Sequence, residues 1–338
     1  MGNILLIVYI AMKPYTSQAP AIGLPELALI VVTFIWGGTF LIVHNAVAVG
    51  GPLAFVAARF AIAALIGALI GRRQILAMTK VELVTGMAIG ASIFGGYALQ
   101  TYGLMHISSS KSAFITAFYV PIVPLLQWVF MKQRPHLVVW AAVSMAFLGL
   151  LLLAGADALG MEFGSGELMT ALGAIAIAVE ITLISRVSAR MNVMRVTIVQ
   201  LATASLIALV LMPVMGEALP QPSTTFVLSV IALGCASAVI QYVMNWAQKR
   251  ISATKATLIY AGEPIWAGVV GRIAGEQMPG MAVGGALLIV CAGILSEWRP
   301  KRVPGSSGKI EQRAMSAAES DAVSVLTVNE AVQPGQSA

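Results

Sequence analysis

ISATKATLIYAGEPIWAGVVGRIAGE, residues 251–276, is a long apolar run with a carboxylate, Glu263, near its middle and Pro264 directly behind it. Across a bilayer, an ionised carboxylate at mid-depth costs about 2.5–3.5 kcal/mol or more unless it is protonated, paired or wet. Proline has no amide hydrogen, so Pro264 cannot bond the carbonyl of Tyr260, and a bare backbone acceptor lies one turn from the carboxylate. Lipid does not tolerate that combination, whereas the wall of an internal cavity does. The stretch reads as a membrane-crossing segment that faces a polar interior.

The rest of the chain supports this reading. Hydrophobic residues make up 59% of 338, charged residues only 10%, and the mean hydropathy is +0.89. That is too little charge to dress a soluble surface of this size. Ten runs of spanning length stand at 26–47, 53–71, 81–104, 112–131, 137–154, 167–187, 194–214, 224–246, 254–274 and 280–297. Turn residues separate them: Gly50-Gly51-Pro52, Arg134-Pro135, the loop between Gly155 and Gly166, and Pro220-Gln221-Pro222. Ahead of them, residues 4–12 are apolar but too short to span, and Met12 reads as the natural start of a lead that ends at 25. Residues 298–338 are polar and read as a disordered tail.

The lysines and arginines alternate by loop. Arg72, Arg73 and Lys80 follow the second run, and Lys132 and Arg134 the fourth. Arg186, Arg190 and Arg195 follow the sixth, Lys249, Arg250 and Lys255 the eighth, and Arg299, Lys301 and Arg302 the tenth. The other loops carry Lys111, Arg272 at a run's end, and the acids Asp157, Glu162, Glu217 and Glu276. The basic side is the cytoplasmic side, which puts both termini in the cytoplasm of a multi-pass protein of the bacterial cytoplasmic membrane. The net charge of +6 belongs to these loops and calls for no nucleic-acid partner. The two cysteines, Cys235 and Cys291, lie in apolar runs as packing residues. His44, His106 and His136 have no metal-ligand spacing. No metal and no cofactor is expected.

The chain also repeats itself. A shift of 144 residues lays Ile107-Ser108-Ser109-Ser110-Lys111 on Ile251-Ser252-Ala253-Thr254-Lys255, Gly90 on Gly234, Pro135 on Pro279 and Gly149 on Gly293. A shift of 141 lays Glu26 on Glu167, Arg59 on Gln200 and Leu65 on Leu206. Each half, 26–155 and 167–297 joined by a linker at 156–166, holds five runs. Five is odd, so the second half enters the membrane upside down relative to the first. The expected fold is an all-α integral membrane protein of ten transmembrane helices, built as two inverted five-helix repeats around a central cavity. Inverted repeats characterise secondary transporters.

With these residues in hand, the chain resembles the EamA-like branch of the drug/metabolite transporter superfamily. The likeness is carried by IWGGTF at Ile35–Phe40, by Arg59-Phe60, by GLMHISSSKSAFITAFYVPIVPLL at 103–126 and by the opening stretch at 251–276. One departure is Met131-Lys132-Gln133, where members often carry an acid. The resemblance implies export of amino acids, related metabolites or drugs through a cavity between the halves. A facilitative channel or an uptake permease is the alternative. An enzyme is excluded by the lack of HExxH, GxSxG or a pair of intramembrane aspartates, and direct ATP use by the lack of a phosphate-binding loop.

Polar groups in apolar helices are the candidate substrate-binding or coupling residues. Glu263, if it faces the cavity, can take a proton and trade it for a cationic or zwitterionic solute; the plain alternative is a structural carboxylate at a helix break. Glu180 is a second proton or amine site, or half of an ion pair whose obvious partner is Arg59. Arg59 either pairs inside the protein or meets a substrate carboxylate, while neutral Gln200 stands at its matching place. The aromatic and amide set is Trp36, Tyr97, Gln100, Tyr119, Gln241, Tyr242, Asn245, Tyr260 and Trp266, which either line the cavity or tie helices together. Trp128, Trp140 and Trp298 read as an interfacial belt. Pairs of glycines four apart, Gly67/Gly71, Gly86/Gly90, Gly271/Gly275 and Gly280/Gly284, are packing devices within or between subunits. The partners expected are a small metabolite, the bilayer and protons, for a monomer or homodimer.

Overall fold

The computed structural model describes residues 23–47, 50–107, 109–132, 135–154, 164–220, 223–273 and 280–297. The lead before residue 23, the 155–163 loop with Asp157 and Glu162, Arg134, Gln221-Pro222, the 274–279 turn with Gly275 and Glu276, and everything from Trp298 on lie outside it. Every regular element among the described residues is helical. In chain order they are α1 (Leu24–Val47), α2 (Pro52–Ile70), α3 (Arg72–Ile75), α4 (Lys80–Leu104), α5 (Ser109–Thr116), α6 (Tyr119–Met131) and α7 (Leu137–Ala154). Then come α8 (Ser165–Val187), α9 (Val193–Val214), α10 (Thr224–Gln248), α11 (Ala253–Tyr260), α12 (Glu263–Ile273) and α13 (Ala282–Glu297). Seven stretches are long and apolar enough to cross a membrane, and Leu137–Leu152 and Ala282–Leu295 are shorter apolar helices.

The distribution of side chains is that of a protein in lipid. Leu65, Leu69, Leu206, Leu209, Val210, Leu287 and Ile294 point outward, while Arg59, Glu180, Gln200, Gln241, Asn245 and Glu263 are buried. Polar groups inside and aliphatic groups outside is the arrangement a hydrocarbon solvent selects. The helix starts follow local chemistry. Thr79 accepts from the Glu82 amide at 3.2 Å while the Glu82 carboxylate accepts from the Thr79 amide at 2.9 Å, closing a capping box at α4. Asn192, Ser223 and Ser252 cap α9, α10 and α11.

The helix boundaries repeat with the sequence. The 144-residue shift carries Lys80–Leu104 end to end onto Thr224–Gln248, and Ser109–Thr116 onto Ala253–Tyr260. The 141-residue shift carries the starts of α1 and α2 onto the starts of α8 and α9. The packing repeats with the halves exchanged: α4 lies on α8 as α10 lies on α1, and α4 on α9 as α10 on α2. The pairs α2–α9 and α7–α13 are their own counterparts. Glycine permits the two matching close approaches. A Cβ at Gly90 would come within 2.5 Å of the Gln200 carbonyl oxygen, and one at Gly234 within 3.1 Å of the Arg59 carbonyl oxygen. The start of α2 is held by a carboxylate of the second half, with the Leu53 and Ala54 amides donating to Glu217 at 3.0 and 2.7 Å. The start of α9 is held by one from the first half, with Asn192 donating to Glu82 at 3.1 Å.

Two runs read as continuous from the sequence are broken. Run 112–131 divides at Ala117-Phe118 into α5 and α6, and run 254–274 divides at Ala261-Gly262 into α11 and α12. The breaks match under the 144-residue shift. Pro121 and Pro264 each fall in the first turn of the second segment, where an amide donor has no intrahelical acceptor to lose. The proline after Glu263 thus begins a helix rather than kinking one, and Glu263 stands at that helix's first position.

Candidate functional site

A cavity of about 30 Å³ lies between the halves, room for roughly two waters. α1 contributes Trp36, Thr39, Phe40 and Val43 to its wall, and α2 contributes Arg59. Tyr97, Gln100, Thr101 and Leu104 come from α4, Thr116 from α5 and Tyr119 from α6. Ile177 and Glu180 of α8 and Glu263 at the head of α12 complete it. Glu263 is there because the break at Ala261-Gly262 ends one helix and starts another beside the cavity. At the matching place in the first half stands Tyr119, whose hydroxyl lies against the Glu263 carboxylate and has no partner in full hydrogen-bond geometry. The Trp36 indole donates to the Tyr97 hydroxyl at 3.1 Å, and Gln100 donates to Thr116 at 2.8 Å.

Arg59 and Glu180 both reach the cavity but do not form the ion pair that their positions in the sequence suggested; among the described residues Arg59 makes none. Its Nε donates to the Ser237 hydroxyl at 2.6 Å, and its guanidinium lies 4.9 Å from the centre of the Tyr97 ring. Glu180 instead ends a chain of amides. Asn245 donates to Gln200 at 3.2 Å, Gln200 to Gln241 at 2.8 Å, and Gln241 to Glu180 at 3.0 Å. Each is bonded to α10 instead, Arg59 to Ser237 and Glu180 to Gln241 one turn further on.

The amide and aromatic set divides. Trp36, Tyr97, Gln100 and Tyr119 line the cavity. Gln200, Gln241 and Asn245 are buried behind it and act through Glu180. Tyr260 is buried against Trp36 and accepts from Gln248 at 3.0 Å, and the Trp266 indole donates to Thr33 at 3.1 Å. Those two tie helices together. Tyr242 is misplaced in the set: 38% of it is exposed on the outer face. One residue turns a helix by 100°, so the step that points Gln241 inward swings Tyr242 away. Of the glycine pairs, Gly86 and Gly90 pack tightly on α9, and Gly67 and Gly71 pack beside it. Gly280 and Gly284 meet nothing within 4 Å among the described residues.

The repeat pointed at Lys111, Lys255, Glu26 and Glu167 without saying what they do. They form two ion pairs between the halves: Lys255 with Glu26, and Lys111 with Glu167. Each exchanges into the other under the repeat. Each glutamate also accepts from an amide three residues back, Gly23 at 3.0 Å and Gly164 at 3.1 Å. They stand at opposite ends of the molecule. Glu26 begins α1, whereas His44, near α1's other end, bonds the Leu104 carbonyl at 3.2 Å, and the adjacent Gly103 packs on Thr170 and Gly166 of the Glu167 helix. Along α1 the two ends are roughly 27 Å apart.

Known proteins bear on this geometry. The sequence pattern of the EamA-like transporter family matches residues 23–155 and again 164–297. A protein of Archaeoglobus fulgidus described as an uncharacterized transporter is 28% identical over 277 residues, covering 81% of this chain and 86% of its own. One solved crystal structure superposes with a TM-score of 0.66 at 19% identity, over 80% of this chain and 96% of that one, which speaks for the fold alone. A family pattern that occurs twice, once in each half, accounts for nearly all the described residues: the chain belongs to the EamA-like transporter family of the drug/metabolite transporter superfamily.

Proposed function

We propose that the protein is a secondary active transporter that exports small metabolites across the bacterial cytoplasmic membrane by alternating access. On this reading the halves are inverted five-helix repeats, ten helices in all, with both termini cytoplasmic. The observation that carries it is the reciprocal pair of ion pairs, one toward each end of the molecule, with the cavity between the halves. Lys255–Glu26 seals the cytoplasmic end and Lys111–Glu167 the outer end. The lysines are 20% and 26% exposed, and ion pairs so exposed are worth on the order of 1 kcal/mol. Opening one end at a time is therefore inexpensive, and exchange symmetry keeps the two ends matched. A facilitative channel needs an open path, and the cavity at the site holds only about 30 Å³ among the described residues.

The two cavity carboxylates, Glu263 and Glu180, are the coupling groups: one proton bound there is exchanged for cargo. Counterflow in proteoliposomes tests both claims. Loaded with an unlabelled metabolite from a panel of amino acids and derivatives, the vesicles are expected to take up the labelled form transiently, as a carrier does and a channel does not. Under an imposed pH gradient, Glu263→Gln and Glu180→Gln should each reduce net flux by at least about tenfold. Flux unchanged in both variants contradicts the assignment of coupling.

A further inference from the structure

Among the described residues, Arg59 is a buried cation without a counter-ion. It is 3% exposed, midway along α2, and it lines the cavity. Its charge is permanent, because a guanidinium keeps its proton in any protein environment. Ser237 takes Nε and the Tyr97 ring covers one face, but Nη2 is buried and has no hydrogen-bond partner. Neither cavity glutamate pairs with it: Glu180 accepts from Gln241, and the Glu263 carboxylate lies against the Tyr119 hydroxyl. The repeat makes the orphan informative. Gln200, the matching residue of the second half, is neutral and satisfied at both ends of its amide. Gln200 bonds Gln241 and Asn245 of α10 within its own half, so the second half makes its polar contacts without a charge at the position that matches 59. Uncompensated buried charge is expensive, and a cargo carboxylate removes that cost while gaining a charge-assisted hydrogen bond.

We infer that Arg59 Nη2 is the anchor for a carboxylate of the cargo, and that the site, widened from its present water-sized volume as the halves part, takes small zwitterions whose ammonium group faces Glu263 and Glu180. The cavity holds one guanidinium and two carboxyl groups, so a zwitterion matches its signs. A dianion such as phosphate would meet both acids. The inference deepens the transporter reading, and rests on it for the claim that the bound molecule is cargo.

Thermal stabilisation of the purified full-length protein in detergent, followed by intrinsic fluorescence, tests it without requiring transport. The probes are the free amino acids taken singly, the carboxamide of each, and inorganic phosphate. At least one free amino acid should raise the melting temperature, with its carboxamide at least about tenfold weaker and phosphate inert. Arg59→Gln, which copies the residue already accepted in the other half, should lose that preference and bind acid and amide alike; Arg59→Lys should retain part of it. A carboxamide as effective as its acid on the unmodified protein overturns the inference, and that comparison needs no variant to fold. So does stabilisation by phosphate, or by no member of the panel. Binding with the acid-over-amide preference but without counterflow would sink the transporter reading and leave the anchor standing.

Discussion

At the scale of single residues, the polar core is the part of the molecule most sensitive to change. Gln200 is fully buried and sits in the middle of the Asn245–Gln200–Gln241–Glu180 chain. Replacing it with leucine conserves volume but strands the Gln241 side-chain oxygen, while Asn245 keeps the Thr197 hydroxyl and the Gln241 backbone carbonyl as acceptors. Each buried orphan costs about 1–3 kcal/mol, so Gln200→Leu should melt well below the unmodified protein in detergent. Tyr242→Leu, on the outer face, should melt with it. Equal melting of Gln200→Leu and the unmodified protein would mean the chain is not structural. The sequence made these residues conspicuous because a carboxylate, guanidinium or amide inside an apolar run has to avoid lipid. It could not choose among partners. Whether Arg59 meets Glu180 or Ser237 depends on distances between helices, and no spacing within one helix encodes them. Thr39, Thr101 and Thr116 escaped notice for a different reason: a threonine can satisfy its hydroxyl on its own helix, as Thr39 does on the Trp36 carbonyl at 2.8 Å, and so leaves no mark in the pattern.

At the scale of helices, close contact rather than hydrophobicity sets the fit, since lipid and leucine are equally apolar. Gly90 meets the Gln200 backbone with no room for a methyl group, and backbone cannot rotate out of the way. Gly90→Ala should therefore destabilise by about 1–3 kcal/mol and lower counterflow as α4 is pushed from α9. Gly284→Ala, which faces open space, is the control and should be silent within about 0.5 kcal/mol. Similar losses in both would show that the close approach of α4 to α9 is not what the substitution at Gly90 disturbs. The glycine spacing was readable in the sequence, but spacing alone did not tell Gly86/Gly90 from Gly280/Gly284. Helix positions were legible to within a few residues, since apolar runs and capping residues are local features. The breaks at Ala117-Phe118 and Ala261-Gly262 were not, because no single residue announces them: the prolines lie after the break, and both halves of each run remain apolar.

At the scale of the whole molecule, the account depends on two halves exchanging roles. The duplicated family pattern, the matching helix boundaries and the reciprocal contacts all agree on the exchange. The sequence carried the repeat faintly, in residues such as Glu26 on Glu167 and Lys111 on Lys255, because apolar helices resemble one another by composition. Only the three-dimensional packing revealed that those four residues form two pairs across the halves. Their equivalence makes a prediction that neither pair would make alone: weakening one must favour the conformation that weakening the other disfavours. The direct measurement is labelling of a single cavity cysteine, Thr101→Cys with Cys235 and Cys291 replaced by serine, by a membrane-impermeant thiol reagent in right-side-out and inverted vesicles. Lys255→Glu should raise labelling from the cytoplasmic face and lower it from the outside, and Lys111→Glu should do the reverse, each by roughly the fivefold that 1 kcal/mol allows. Labelling that rises from the same face in both variants, or that changes in neither, would contradict the exchange of halves on which the account is built.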